Sequence, residues 1–118
     1  MNIHGREIKF FKTVGAICDV EDRCPDQNIK NIRKLLEGNF KKRWDGMATI
    51  IVALNKGYED AQKFDDPNYE GKPLTYEELK VISEEDFMAL FAEATRVFYQ
   101  LDQTVETEPS KKKEEESD

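Results

Sequence analysis

The side chains best suited to chemistry are few: His4, Cys18, Cys24 and a carboxylate cluster of Glu77, Glu78, Glu84, Glu85 and Asp86. A single histidine builds no histidine-based zinc site and has no second imidazole to orient it. Next to Gly5 it reads as a turn residue. Cys18 and Cys24 are six positions apart in an expected helix and point in roughly opposite directions, which disfavours both a disulfide and a metal site. Cys18 is expected in the core and Cys24 at a helix end. The carboxylates fall at two expected helix starts, where the positive end of the helix dipole favours acids. A divalent cation would need oxygen ligands converging on one point, and the chain has no EF-hand spacing. G-x-S-x-G, P-loop, G-x-G-x-x-G and C-x-x-C patterns are also missing. No catalytic residue, metal or cofactor is expected, and an enzyme is the least favoured class.

Charge is the next signal. The 118 residues carry a formal net charge of −7, which makes a general nucleic-acid binder a poor fit. The charge is uneven. Residues 27–43 hold Lys30, Arg33, Lys34, Lys41, Lys42 and Arg43 against Glu37, whereas residues 59–86 hold ten acids against Lys63, Lys72 and Lys80. Such asymmetry suits docking of a partner or of a second copy, although two solvated faces of opposite sign would look the same. Phe40 and Trp44 beside the basic stretch are the residue types that stack on bases. Both also fit an apolar helical stripe, so no nucleic-acid partner is expected.

Around these residues the pattern predicts a mainly α fold, in α+β terms a short N-terminal β-hairpin followed by four to five helices. Met1-Asn2-Ile3 and Arg6 to Phe11 form the hairpin strands about a His4-Gly5 turn, with Ile8 and Phe10 on one face. Thr13 caps a first helix, Val14 to about Arg23, with Val14, Ile17, Cys18 and Glu21 on one side; Pro25 ends it. Ile29, Ile32, Leu35 and Leu36 mark a second helix behind an Asp26-Gln27-Asn28 turn, stopped at Gly38. The third is the best defined. Phe40, Trp44, Met47, Ile51, Leu54, Tyr58 and Ala61 recur in steps of three and four, widened by Ile50, up to the Asp65-Asp66-Pro67-Asn68 stop. Thr75 with Glu78 then opens a short helix, Tyr76 to Ile82. Ser83 with Asp86 opens a long one from Glu84 to about Thr104, whose apolar face is Phe87, Leu90, Phe91, Ala94, Val97, Phe98 and Leu101.

One domain over residues 1–105 is expected, followed by a disordered tail over 106–118 with Lys111, Lys112 and Lys113 among acids and no apolar side chain. No apolar run has the length of a membrane span, and the opening residues do not read as a signal peptide, so no membrane association and a cytoplasmic location are expected. Two long apolar stripes in so short a chain leave surplus apolar surface, which suits a groove for an apolar helix.

Four features resemble the tail assembly chaperones of long-tailed bacteriophages and prophages. The opening NIHGREIKFFKTVGAICDVED is similar to the family's hairpin running into a helix through a T-x-G-A step, here Thr13-Val14-Gly15-Ala16. The small and aliphatic stretch Met47-Ala48-Thr49-Ile50-Ile51-Val52-Ala53-Leu54 on a long helix is the second, and Lys72-Pro73-Leu74-Thr75-Tyr76-Glu77-Glu78-Leu79 leading into the last helices is the third. The charged tail is the fourth. The resemblance covers about residues 1–104. It implies a non-enzymatic protein of the bacterial host cytoplasm that binds and solubilises the tape measure protein and helps recruit tail-tube protein. It also implies a second, longer form made by ribosomal slippage, for which the lysine run is a candidate site. The family brings no catalytic residues. The pattern nominates Trp44, Ile51 and Tyr58 on the third helix, with Phe87, Phe91 and Phe98 on the last, as the partner-binding set. Self-association is a further possibility. A structural head–tail connector component of the virion and an acidic regulatory binding protein are the rival readings.

Overall fold

The structure is a computed structural model and describes residues 1–100. Two short strands, β1 (Asn2–Ile3) and β2 (Arg6–Glu7), pair antiparallel with Ile3 opposite Arg6. His4 and Gly5 both have positive φ, 53° and 82°, the turn whose twist matches an antiparallel pair. The ladder gains one more bond, Ile8 N–H to the Met1 carbonyl, and then the chain departs. The expected return strand to Phe11 is therefore shorter. The reason is tertiary: the Phe11 N–H donates to the Leu54 carbonyl on the central helix, and the Lys9 carbonyl accepts from Asn55.

Helix α1 (Val14–Arg23) starts where expected, with the Thr13 hydroxyl accepting from the Ala16 N–H. Cys24 is extended before Pro25, which ends the helix. The inward face differs from the expected one. Ala16, Val20 and Cys24 are buried, whereas Val14 is 78% exposed and Cys18 lies on the surface. Close packing explains the rotation. A Cβ on Gly57 would lie 2.4 Å from the Phe11 carbonyl oxygen and 3.4 Å from the Ala16 Cβ, so the chain presents its smallest side chain at the approach. Cys24, not Cys18, is thus the core cysteine.

The expected second helix resolves into a 3₁₀ turn over Ile29–Asn31 and a single α turn, α2 (Ile32–Leu35). Asn28 caps it through the Lys30 N–H. This segment is pulled onto the next helix, where a Cβ on Gly46 would lie only 2.0 Å from the Leu35 carbonyl oxygen. Asn39 caps α3 (Phe40–Asp65), a 26-residue helix that is the axis of the molecule. It is buried on more sides than a single stripe requires: Ala48, Thr49, Ile50, Ile51, Ala53, Leu54 and Asn55 are all enclosed. One flank is covered by α1, which runs antiparallel, with Ala16 against Gly57 and Arg23 beside Thr49. The other is covered by α5 (Glu84–Tyr99). It runs parallel to α3, since Trp44 and Phe87 stack near the two helix starts.

A return segment links these parallel helices. Buried Glu59 organises its beginning, accepting through Oε1 from the Tyr69 hydroxyl at 2.8 Å and the Lys72 N–H at 3.0 Å. Asn55 holds its middle through the Leu74 N–H. The segment ends in α4 (Tyr76–Leu79), one turn shorter than expected, with the full Thr75–Glu78 capping box. Ser83 caps α5 through the Asp86 N–H. Helix α5 ends at Tyr99 with Gln100 in the left-handed region as its C-cap, short of the expected Thr104; Leu101 and the charged tail lie outside the described residues.

Glu78 also ties the hairpin to this segment, accepting from Arg6 Nη1 at 2.9 Å, while Arg6 Nη2 donates to the Lys72 carbonyl. Burial pushes the Glu78 carboxyl up. The Thr75 backbone N–H, the Arg6 guanidinium and the Thr75 hydroxyl together outweigh it and hold the group below the ordinary 4.5. A carboxyl with a depressed folded pKa stabilises the fold above its unfolded value and loses that contribution as pH falls through the folded one. The urea midpoints of wild type and Glu78→Gln should therefore differ at neutral pH and converge as the pH falls past the ordinary carboxylate range and through the folded pKa. A gap that stays constant down to acid would show that the charge on Glu78 contributes nothing.

Candidate functional site

Parallel packing of α3 and α5 brings two helix starts to the same end of the molecule, and an open groove of about 340 Å³ lies between them. One wall is the first two turns of α3, with Phe40, Trp44 and Met47 in register. The other is Phe87 and Met88 at the start of α5. Leu79 and Ile82 from the α4–α5 turn close the back. Trp44 stacks on Phe87, with ring centroids 5.7 Å apart at 18°, and leans on Tyr76 at 6.5 Å. These contacts hold its indole firmly while one side faces the groove. Phe40 is 61% exposed, and Met88 and Val81 are also exposed at this end. The groove therefore has a stacked aromatic base and a rim of apolar side chains in water, the kind of patch that a partner covers.

Lys41, Lys80 and Glu84 are the charged side chains of the lining. Lys80 is engaged by Glu77 at 3.4 Å. The first turn of α3 carries no acid and instead reads Phe40-Lys41-Lys42-Arg43, cations at the positive end of the longest helix. The first turn of α5 carries Glu84, Glu85 and Asp86, the arrangement that the dipole favours.

A larger cleft, about 630 Å³, lies between α2 and α3, lined by Arg23, Lys34, Glu37, Lys42 and Asp45 among others. Its lining mixes charged side chains of both signs with apolar ones in about equal share, so it presents no continuous apolar face. A third opening of about 250 Å³ sets Asp19 and Asp22 beside Arg23 and Tyr76. Arg23 there is occupied by Tyr76, donating to its hydroxyl at 3.1 Å and lying over its ring.

The reactive side chains have structural surroundings. His4 is largely exposed, 3.7 Å from Asp86. Burial, reinforced by Glu21, pushes the Cys24 thiol up, which keeps it protonated and a weak nucleophile. Glu78 serves the capping box and Arg6, and Glu77 pairs with Lys80. Among the described residues no group of three or more His, Cys, Asp or Glu could hold a metal ion, and no helix is long and apolar enough to cross a membrane.

The six nominated aromatic and aliphatic residues do not form one surface. Trp44 and Phe87 meet in the groove, Trp44 half-buried on its wall and Phe87 buried at its base. Ile51 is 0% exposed and belongs to the core, where no partner reaches it without unfolding. Phe98 is also buried, with the Lys12 ammonium 4.6 Å from its ring centroid. Tyr58 is half-buried under Lys9 on another part of α3, and Phe91 is half-buried against the core. Sequence reasoning left Phe40, Met47, Ile82 and Met88 out of the set. The available signal was Phe40, Trp44 and Met47 opening a helix beside cations, with an apolar Phe87-Met88 pair at the start of the next long helix.

No family model matches the chain, and no curated protein or solved structure matches it.

Proposed function

We propose that the protein is a tail assembly chaperone of a long-tailed phage or prophage, a binding protein without turnover. Acting in the bacterial cytoplasm, it holds the tape measure protein in solution and helps gather tail-tube subunits around it. The observation that carries this reading is the open apolar groove of Phe40, Trp44, Met47, Phe87 and Met88. A groove of this kind takes the apolar face of a helix through side chains spaced at i, i+3, i+4 and i+7, and long apolar helices are the chemistry of such a client. A net charge of −7 keeps the complex in solution.

Co-expression with the cognate tape measure protein should move that client from pellet to supernatant. Phe40→Glu and Met88→Glu should each abolish the rescue with the far-ultraviolet circular dichroism unchanged. Phe40 is exposed and stands at the first position of α3, where an acid suits the dipole. Phe64→Glu, at an 88% exposed position near the far end of the same helix, should rescue as wild type does. A client that stays in the pellet with wild-type protein overturns the chaperone reading. Rescue by both groove variants overturns the groove as the site.

A further inference from the structure

The groove reading leaves open which helix fits, and the charges beside it decide that. Residues 27–43 carry six cations against one acid, and none of them takes part in an ion pair among the described residues. Elsewhere four lysine and arginine side chains are ion-paired, Arg6 with Glu78, Lys56 with Asp60, Lys80 with Glu77 and Arg96 with Glu93, and Lys9, Lys12 and Arg23 lie over aromatic rings. Arg43 donates to the Gly38 carbonyl and Lys42 lies against Gly38 in the α2–α3 cleft, which leaves Lys41 as the cation of the α3 wall of the groove without an ion-pair partner. Three cations in the first turn of α3 also work against its dipole, so folding alone does not account for them. Away from the α3 wall the lining carries Lys80, which Glu77 engages, and Glu84, which has no cationic partner among the described residues.

We infer that the groove takes an amphipathic helix whose apolar stripe is flanked on one side by acidic residues, and that this acidic flank lies along Lys41. The inference rests on the groove being the binding site. Glu84 on the other wall repels a carboxylate, so the bound helix has one orientation, acids toward α3. Single-stranded nucleic acid fits less well. The Trp44 ring is already stacked on Phe87, which leaves Phe40 as the exposed ring of the lining, and Met47, Leu79, Ile82 and Met88 beside it offer successive bases no aromatic partner.

Trp44 is the only tryptophan in the chain, so its emission reports the groove directly. Two synthetic helical peptides without tryptophan, sharing one leucine stripe and flanked on one side by either glutamate or lysine, should be titrated against the full chain. The glutamate peptide should bind about tenfold more tightly at low salt, with the difference shrinking as salt screens it. Lys41→Glu should reverse that preference while binding of a stripe with neutral flanks is kept. Equal affinity for both peptides would overturn the acidic flank and leave the groove standing. Absence of binding by either would overturn both. Displacement of the glutamate peptide by a single-stranded oligonucleotide, or self-association of the chain that Met88→Glu abolishes, would assign the surface to a nucleic acid or to a second copy and overturn the inference.

Discussion

Replacing Asn55 with leucine is expected to lower the stability of the fold by about 2–5 kcal/mol, read as a lower urea midpoint with an unchanged slope. Asn55 is 1% exposed on α3 and joins three parts of the chain. Its Nδ2 donates to the Lys9 carbonyl behind the hairpin at 3.0 Å, and its Oδ1 accepts from the Leu74 N–H on the return segment at 2.7 Å. Leucine has the same branched arrangement of heavy atoms but neither polar group, so a backbone carbonyl and a buried N–H would lose their partners together. Each orphaned group costs about 1–3 kcal/mol, far more than the added apolar contact returns. The hairpin and return segment should loosen first, visible as faster amide exchange at Phe11 and Leu74. A midpoint within error of wild type would mean that water replaces both bonds.

Leu54→Ala should cost about 2–5 kcal/mol by the same measurement. Leu54 is fully enclosed at the middle of α3, and its carbonyl accepts from the Phe11 N–H. Truncation removes apolar contact and leaves a cavity that α1 cannot fill by moving inward, because Gly57 and Ala16 already hold it at contact distance. Phe91→Ala, a full core deletion on sequence grounds, should cost less than the 3–5 kcal/mol typical of an enclosed phenylalanine, since Phe91 is half-buried. If Phe91→Ala proves the more damaging of the two, the core is centred on α5 rather than α3.

What was legible in the chain was what depends on neighbours within a few residues. Thr13 before α1, the Thr75–Glu78 box, Ser83 before α5 and the Pro25 break each act through the backbone three or four positions away, so residue order alone declares them. The His4-Gly5 turn and the long α3 stripe are local in the same sense. The inward side of α1 was not legible, because it depends on a glycine more than forty positions along the chain and only close packing shows that Ala16 must face it. Nor was the role of Asn55 or Glu59, polar residues whose burial has physical sense only once Leu74, Tyr69 and Lys72 come round to meet them. The groove belongs to the same class. Residues of α3 and α5 roughly forty positions apart become one surface because the return segment makes the helices parallel, and the same packing takes Ile51 and Phe98 into the core and leaves Phe40 and Met88 in water. Periodicity tells which side chains share a helix face; which face meets another helix, and where that contact stops short of closing, is decided by the shapes of both surfaces at once.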